Sequence, residues 1–165
     1  MNVRRIKKTC LLFGEGGKEE TFFRFLEDSH CFNNRFPNWR IEMSHASGEA
    51  CSVILQKCIN YTSRRDFDLV LCFIDTDNLY EHFPKKHEQE KTELEKMAEE
   101  YGINIIWQEL NHEDELCRAT NGKICTKNGM KGRLARHSTR VLNSDYTKRI
   151  LSHFRKIDLK SSNIC

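Results

Sequence analysis

The chain has 165 residues, of which 38% are hydrophobic and 31% are charged, and its formal net charge is +3. These values favour one soluble globular domain over 1–165 and exclude a membrane helix, because no apolar run approaches the roughly 18 residues that such a helix needs. The apolar segment near the start, 10–13, is too short for a secretion signal. We therefore expect a cytoplasmic protein whose eight cysteines are reduced thiols.

The positive charge is concentrated in the last quarter of the sequence. Residues 121–165 contain eleven lysines and arginines and two aspartates, which leaves a net charge of +9. Segregated charge of this kind indicates a polyanionic partner, DNA or RNA. A solvated helix face is the alternative interpretation of the same residues.

In chain order, the first elements are a strand, a glycine turn and a helix. The strand over 6–13 ends in the turn 14–17, where three glycines in four residues allow a close backbone approach. An amphipathic helix over 18–28 follows, because its apolar residues recur at spacings of three and four. A loop over 33–39 and a second strand over 39–44 complete this part of the chain.

The third strand is the strongest element of the sequence. Ser47 or Ser52 is expected to cap the helix before it, which ends near Tyr61. The strand over 68–74 contains six consecutive apolar residues, which is typical of a strand buried on both faces. It ends in an Asp-Thr-Asp sequence over 75–77.

The remaining elements continue the alternation and then become helical. A loop with Pro84 leads to a charged helix over 85–101, and a fourth buried strand covers 103–107. The predicted elements after it are a short helix over 113–119, a basic loop over 121–132, a helix over 139–154 and a frayed end over 161–165. The alternation predicts an α/β fold with right-handed crossovers and a mainly parallel four-stranded sheet flanked by helices. Its core would cover about 6–120, and a basic C-terminal extension 121–165.

Acidic residues follow the ends of three predicted strands, and a parallel sheet brings those ends to one edge. Two carboxylates two residues apart on an extended chain point the same way, and at about 4 Å they repel by roughly 4 kcal/mol at an effective dielectric of about 20. Oxygen ligands without a His or Cys cage suit Mg²⁺ or Mn²⁺, which can activate water and stabilise a leaving oxygen. The three clusters are Glu15 with Glu19 and Glu20, Asp75 with Asp77, and Glu109 with Glu113, Asp114 and Glu115.

Each of these residues also has an ordinary interpretation. The aspartates are common in turns and helix caps, and glutamates in a first helical turn complement the helix dipole. His45, His112 and His137 are candidate general acids or phosphate ligands, with a surface role as the alternative. A zinc site from Cys117, Cys125 and one of the latter two histidines lacks the standard spacing.

Two motifs together resemble the Toprim domain of topoisomerases, bacterial primases and nucleases of the OLD family. Residues 15–20, Glu-Gly-Gly-Lys-Glu-Glu, resemble the E-G-x-x-T-E motif of the RloB-like nuclease branch, with Glu19 in place of the family threonine. Residues 75–77 match the D-x-D motif, and 111–116 resemble the acidic stretch after the last sheet strand. The resemblance covers roughly residues 6–120.

The resemblance implies a Rossmann-like Toprim fold and a nuclease that cleaves DNA or RNA with Mg²⁺ or Mn²⁺. Several such nucleases act in antiphage defence with a separate ABC-type ATPase. The sequence also leaves open whether the chain forms a homo-oligomer. The implied catalytic residues are Glu15, Asp75 and Asp77. The candidate metal ligands are Glu15, Glu19, Glu20, Asp75, Asp77 and Glu113. The candidate nucleic-acid contacts are Lys18, Lys127, Lys131, Arg133, Arg136 and Arg140.

Two other functions remain open from the sequence. The first is a non-catalytic subunit that binds nucleic acid or a partner through the same fold. The second is a phosphatase of the haloacid dehalogenase type, which also uses D-x-D. That enzyme class needs a threonine four residues after the first aspartate, where this chain has Leu79.

Overall fold

A computed structural model of the protein describes residues 7–124 and 129–163. The strands are β1 (Lys8–Gly14), β2 (Trp39–His45), β3 (Leu69–Asp75) and β4 (Asn104–Gln108). The helices before β4 are α1 (Lys18–Asp28), α2 (His30–Arg35), α3 (Cys51–Thr62), α4 (Thr76–His82) and α5 (His87–Glu100). The helices after it are α6 (His112–Ala119), α7 (Met130–Arg136), α8 (Ser138–Leu142) and α9 (Asp145–Ser162).

The strands form one sheet in the order β2-β1-β3-β4, and every neighbouring pair is parallel. This confirms the predicted α/β architecture with a parallel four-stranded sheet flanked by helices. The strand order reverses between β1 and β3, because the chain moves from β1 to one side and then returns past it to the other. Ligands of open α/β sheets bind at such a switch point, in the crevice outside the carboxyl ends of the strands.

Helices cover both faces of the sheet, and each face has its own hydrophobic core. Alternate residues of β1 and β3 point to opposite faces, so Leu12 and Leu71 join α1, α2 and the C-terminal helices, whereas Leu11 and Cys72 join α3, α4 and α5. Every residue of β3 is buried, as its continuous apolar sequence predicts. This double cover is the usual setting of a parallel sheet.

Three segments predicted as loops contain helical residues, and in one of them α7 begins at Met130, inside the predicted basic loop over 121–132. α2 occupies part of the predicted loop over 33–39, and the Ser29 hydroxyl caps it by accepting from the Phe32 N–H over 3.1 Å. α4 begins directly after β3, where the sequence prediction had a loop, so Asp75 is its N-cap residue. Each of these helices has seven residues or fewer, which is too short to show a clear hydrophobic period.

The predicted C-terminal helix over 139–154 is two helices. Ser144 begins α9 by accepting from the Thr147 N–H over 3.3 Å, and its own hydroxyl donates to the Val141 carbonyl over 2.6 Å. The helix α9 then continues to Ser162, beyond the predicted end. The apolar period passes through both helices, and for that reason the sequence pattern did not indicate the break.

The predicted cysteine chemistry holds only in part. Cys10, Cys51, Cys58 and Cys72 are free thiols buried in the core. Cys117 is disulfide-bonded, so the prediction that all the cysteines are reduced is wrong for this residue. In the two described ranges, no helix combines the length and apolar character that crossing a bilayer requires.

Candidate functional site

The turn after β1 places two glutamates at the sheet edge. Gly14 ends β1, and Glu19 in the first turn of α1 folds back over it. A Cβ atom at Gly14 would stand 3.0 Å from Glu19 Oε2, which is tighter than an ordinary contact, so the glycine leaves room for this close approach. The Glu19 side chain is consequently buried, with 1% of its surface exposed.

Asp75 stands at the carboxyl end of the neighbouring strand β3. It is the N-cap residue of α4, yet its side chain makes no capping hydrogen bond. Glu15 serves this helix end instead, because its Oε2 accepts from the Asp75 N–H over 3.2 Å and its Oε1 accepts from Asn78 Nδ2 over 3.1 Å. The carboxylates that follow β1 and β3 therefore meet at the switch point, as the parallel topology predicts.

Two buried carboxylate oxygens in this cluster have no hydrogen-bond partner among the described residues. They are Glu19 Oε2 and Asp75 Oδ1. Burial raises the pKa of Asp75 to about 9, and the negative charges of Glu15, Glu19 and Asp77 add to the effect. Burial likewise raises the pKa of Glu19 to about 7, with a further contribution from Glu15. A proton or a cation is needed to neutralise this cluster.

Asp77 lies at the rim of the cluster and is exposed. The prediction that it points the same way as Asp75 on an extended chain is wrong, because α4 begins at Thr76. Its N–H donates to the Leu110 carbonyl over 3.0 Å, and the Leu110 N–H donates to Thr76 Oγ1 over 2.7 Å. The segment after β4 is thereby attached to the start of α4.

Glu20 points away from the cluster and pairs with Arg24 on the next turn of α1, over 2.6 Å. Of the two glutamates that the sequence leaves open as ligands, Glu19 is the one whose charge acts on Asp75, and the choice between them stays a prediction. Glu113, on α6, stands 3.7 Å from the Lys18 ammonium group. Lys18 thus connects the beginning of α1 with α6 beside the cluster.

Glu115 has a structural environment although it follows the same sheet edge. Its Oε1 accepts from Arg149 Nη2 over 2.7 Å and from the Glu109 N–H over 2.9 Å, and its Oε2 lies 3.5 Å from Arg118. The side chain is 7% exposed. These contacts neutralise the carboxylate within the protein, so it is not available as a metal ligand.

The predicted basic contacts lie on several elements. Lys127 is outside the described residues. Lys131, Arg133 and Arg136 are on α7, which packs against α1, and Arg140 is on α8. The structure does not bring these side chains into one cluster with the carboxylates.

The three histidines have different surroundings. His45 is exposed at the end of β2, and its Nε2 lies 3.8 Å from the position of a Cβ atom at Gly17. His112 is buried in a network with Gln108 and Tyr146, and burial lowers its pKa to about 4. His137 is half-buried between α7 and α8. For the proposed zinc site, Cys117 is disulfide-bonded and Cys125 lies outside the described residues.

Throughout the described part of the chain, no three His, Cys, Asp or Glu side chains converge closely enough to hold a metal ion. Mg²⁺, however, is commonly bound by one or two carboxylates and completes its shell with water and substrate phosphates. Glu19 and Asp75, with their unpartnered oxygens, fit that kind of site.

Sequence reasoning missed the residue that connects these elements. Asn78 donates to Glu15 and to the Glu49 carbonyl, and its Oδ1 accepts from the Cys51 N–H over 3.0 Å. It therefore begins α3 in place of the predicted caps Ser47 and Ser52. A helix predicted directly after Asp75 would have placed Asn78 in its first turn. Asn78 would then have been a candidate for contacts at the sheet edge.

No protein-family model, no curated protein and no solved structure matches this chain. The geometry of the site is therefore the basis on which its function is proposed.

Proposed function

We propose that the protein is a divalent-metal-dependent nuclease that cleaves phosphodiester bonds of DNA or RNA. The observation that carries this proposal is the pair of buried carboxylates, Glu19 and Asp75, each with an unpartnered oxygen at the β1/β3 switch point. Burying like charges side by side is costly unless a cation or a proton neutralises them. The resemblance of the two motifs to Toprim nucleases of the OLD and RloB-like branch agrees with a cation.

In this proposal Asp75 and Glu19 hold Mg²⁺ or Mn²⁺, and Asp77 contributes from the rim, directly or through water. When bound, such an ion activates a water molecule and stabilises the leaving oxygen of a phosphodiester. Glu15 orients Asp75, because both of its carboxylate oxygens accept hydrogen bonds from the beginning of α4. Lys18 provides positive charge beside the cluster for the substrate phosphate.

A second candidate is a non-catalytic subunit that binds nucleic acid or a partner protein. The observation that favours it is the raised pKa of Asp75, about 9, and of Glu19, about 7. Protons alone could neutralise both groups near neutral pH, and the cluster would then be a structural element. An antiphage role and a separate ABC-type ATPase partner remain predictions under either candidate.

Cleavage of plasmid DNA and of structured RNA, with and without Mn²⁺, separates the two candidates. We expect Asp75→Asn to reduce Mn²⁺-dependent cleavage by about 100-fold or more, because it removes a charge on which the ion depends. Glu20→Gln is the matched control, since Glu20 faces Arg24 outside the cluster, and cleavage should be unchanged. Cleavage that survives in Asp75→Asn would contradict this metal site, and the absence of Mn²⁺-dependent cleavage by the wild-type protein would contradict the nuclease proposal.

Thermal unfolding gives an independent readout of the ion. A ligand that binds only the folded state at 100 times its Kd raises the free energy of unfolding by about 2.7 kcal/mol. We expect Mn²⁺ to stabilise the wild-type protein and Glu20→Gln in this way, but not Asp75→Asn. Equal stabilisation of all three proteins would mean that the ion binds away from Asp75, and no stabilisation of any of them would favour the non-catalytic subunit.

A further inference from the structure

A polar cleft of about 670 Å³ is lined on one side by the segment that follows β4. Three arginines from three different helices line it: Arg118 on α6, Arg140 on α8 and Arg149 on α9. This volume lies within the range of about 300–1,000 Å³ that is usual for ligand sites. The sequence motifs did not indicate this place, because Arg118 and Arg149 belong to no recognised pattern.

Two of the arginines are held in fixed positions by the protein. Arg149 donates to the Trp107 carbonyl over 3.0 Å and to Glu115 over 2.7 Å. Arg118 donates to the Glu109 carbonyl over 2.9 Å. The side chains of Arg149 and Arg118 are still 45% and 44% exposed, and both line the cleft.

Arg140 makes the fewest contacts of the three arginines. Its guanidinium makes one long hydrogen bond, 3.5 Å from Nη1 to the Thr120 carbonyl, and no ion pair within the described ranges. Three carboxylates also line the cleft. Glu115 pairs with Arg118 and Arg149, and Glu109 Oε2 lies 3.8 Å from Arg118. Glu109 and Asp145 are exposed to solvent, which screens their charge. The cleft therefore offers guanidinium groups at set positions for hydrogen bonding to phosphate oxygens, and not a uniformly positive surface.

The cleft begins one residue from the acidic cluster. Glu109 lines it, and the next residue, Leu110, accepts the Asp77 N–H through its carbonyl over 3.0 Å. The segment between β4 and α6 thus lines the cleft at Glu109 and contacts the beginning of α4 at Leu110.

We propose that this cleft binds the sugar-phosphate backbone of the nucleic acid beside the cleavage point, with Arg140 as its main adjustable contact. The inference rests on the proposed function for the identity of the ligand. It replaces the predicted contacts on α7 with a site formed by α6, α8 and α9. Contacts of this kind bind phosphate without reading sequence.

The test measures binding without cleavage. Fluorescence anisotropy with labelled single-stranded and duplex DNA and RNA is recorded in EDTA, so no metal ion takes part. We expect Arg140→Gln to weaken binding about five- to tenfold and to reduce the slope of log affinity against log salt by about one. Arg155→Gln is the matched control, an exposed arginine in the second half of α9 that does not line the cleft, and its affinity and slope should equal those of the wild type.

An equal loss in Arg140→Gln and Arg155→Gln, or no loss in either, would overturn the cleft proposal. Hydrogen exchange of the wild-type protein provides a second measurement that needs no variant. Added oligonucleotide should protect α6, α8 and the first turns of α9, and protection confined to α7 would contradict the site. Because both measurements omit metal, a failure of cleavage with intact binding would refute the nuclease function and leave the cleft standing.

Discussion

Two regions at the same edge of the sheet bury carboxylates, one with hydrogen-bond and ion-pair partners and the other with oxygens that lack a partner among the described residues. Behind β4, Glu115 is surrounded by Arg118, Arg149 and a backbone N–H, so its charge is neutralised inside the protein. Between β1 and β3, Glu19 and Asp75 are equally buried, yet each retains an oxygen without a partner. The chain can therefore satisfy a buried carboxylate at this edge, and it does not do so at the switch point.

This difference indicates what each region contributes. A buried ion pair with several hydrogen bonds fixes the relative positions of the elements that it joins, in this case β4, α6 and α9. Uncompensated like charges cost stability and persist where function requires them. Removing a carboxylate should therefore lower the free energy of unfolding in the first region and raise it in the second.

The largest effect is expected for Glu115→Ala. The substitution leaves Arg118 and Arg149 without their shared carboxylate, and we expect a loss of about 2–4 kcal/mol in the free energy of unfolding, below the full cost of breaking a fully buried pair because both arginines are partly exposed. For a chain of this size, the Tm should fall by roughly 5–15 °C. Glu99→Ala, at an exposed position of α5, is the control. Equal melting temperatures of the two variants would show that the ion pairs contribute nothing.

A smaller effect of opposite sign is expected for Asp75→Asn without metal. The folded-state pKa of Asp75, about 9, lies far above the ordinary value near 4, so the folded protein keeps a proton that the unfolded chain releases. This group's contribution to the free energy of unfolding is then complete below pH about 4. It falls as the pH rises toward 9 and is constant above that pH. Asparagine removes this dependence, and the variant should exceed the wild type by about 1–3 kcal/mol at pH 8.

The measurement is the difference in unfolding free energy between Asp75→Asn and the wild type, by urea denaturation in EDTA at several pH values. The difference should be small near pH 4 and should grow with pH. Glu19, whose pKa is about 7, adds a similar dependence to both proteins, and the subtraction removes most of it. A difference that shrinks with pH would mean that Asp75 is stabilised as an anion in the folded state.

The sequence predicted the parts of this fold that depend on local patterns. The strands β3 and β4 are short apolar runs, and a parallel arrangement followed from their alternation with helices. From this arrangement, the meeting of Glu15 and Asp75 at one edge could be predicted. The start of α4 could not, because Thr76 and Asp77 are polar and the helix has only seven residues.

The choice between Glu19 and Glu20 required the structure for a different reason. Both lie in the first turn of α1, and they differ only by one step of rotation about the helix axis. The resemblance left both positions open, because Glu19 stands in place of the family threonine. The close approach over Gly14 buries Glu19, and this contact depends on how α1 is packed against β1.

The smallest effect is expected for Asp77→Asn, which tests how far the uncompensated region extends. Asp77 is exposed, and its side chain has one long hydrogen bond, 3.4 Å from Asn111 Nδ2. Solvent screens its repulsion with Asp75, so the free energy of unfolding at pH 8 without metal should change by less than about 0.5 kcal/mol. Urea denaturation beside Asp75→Asn gives the comparison directly. A gain as large as that of Asp75→Asn would mean that the rim shares the buried repulsion.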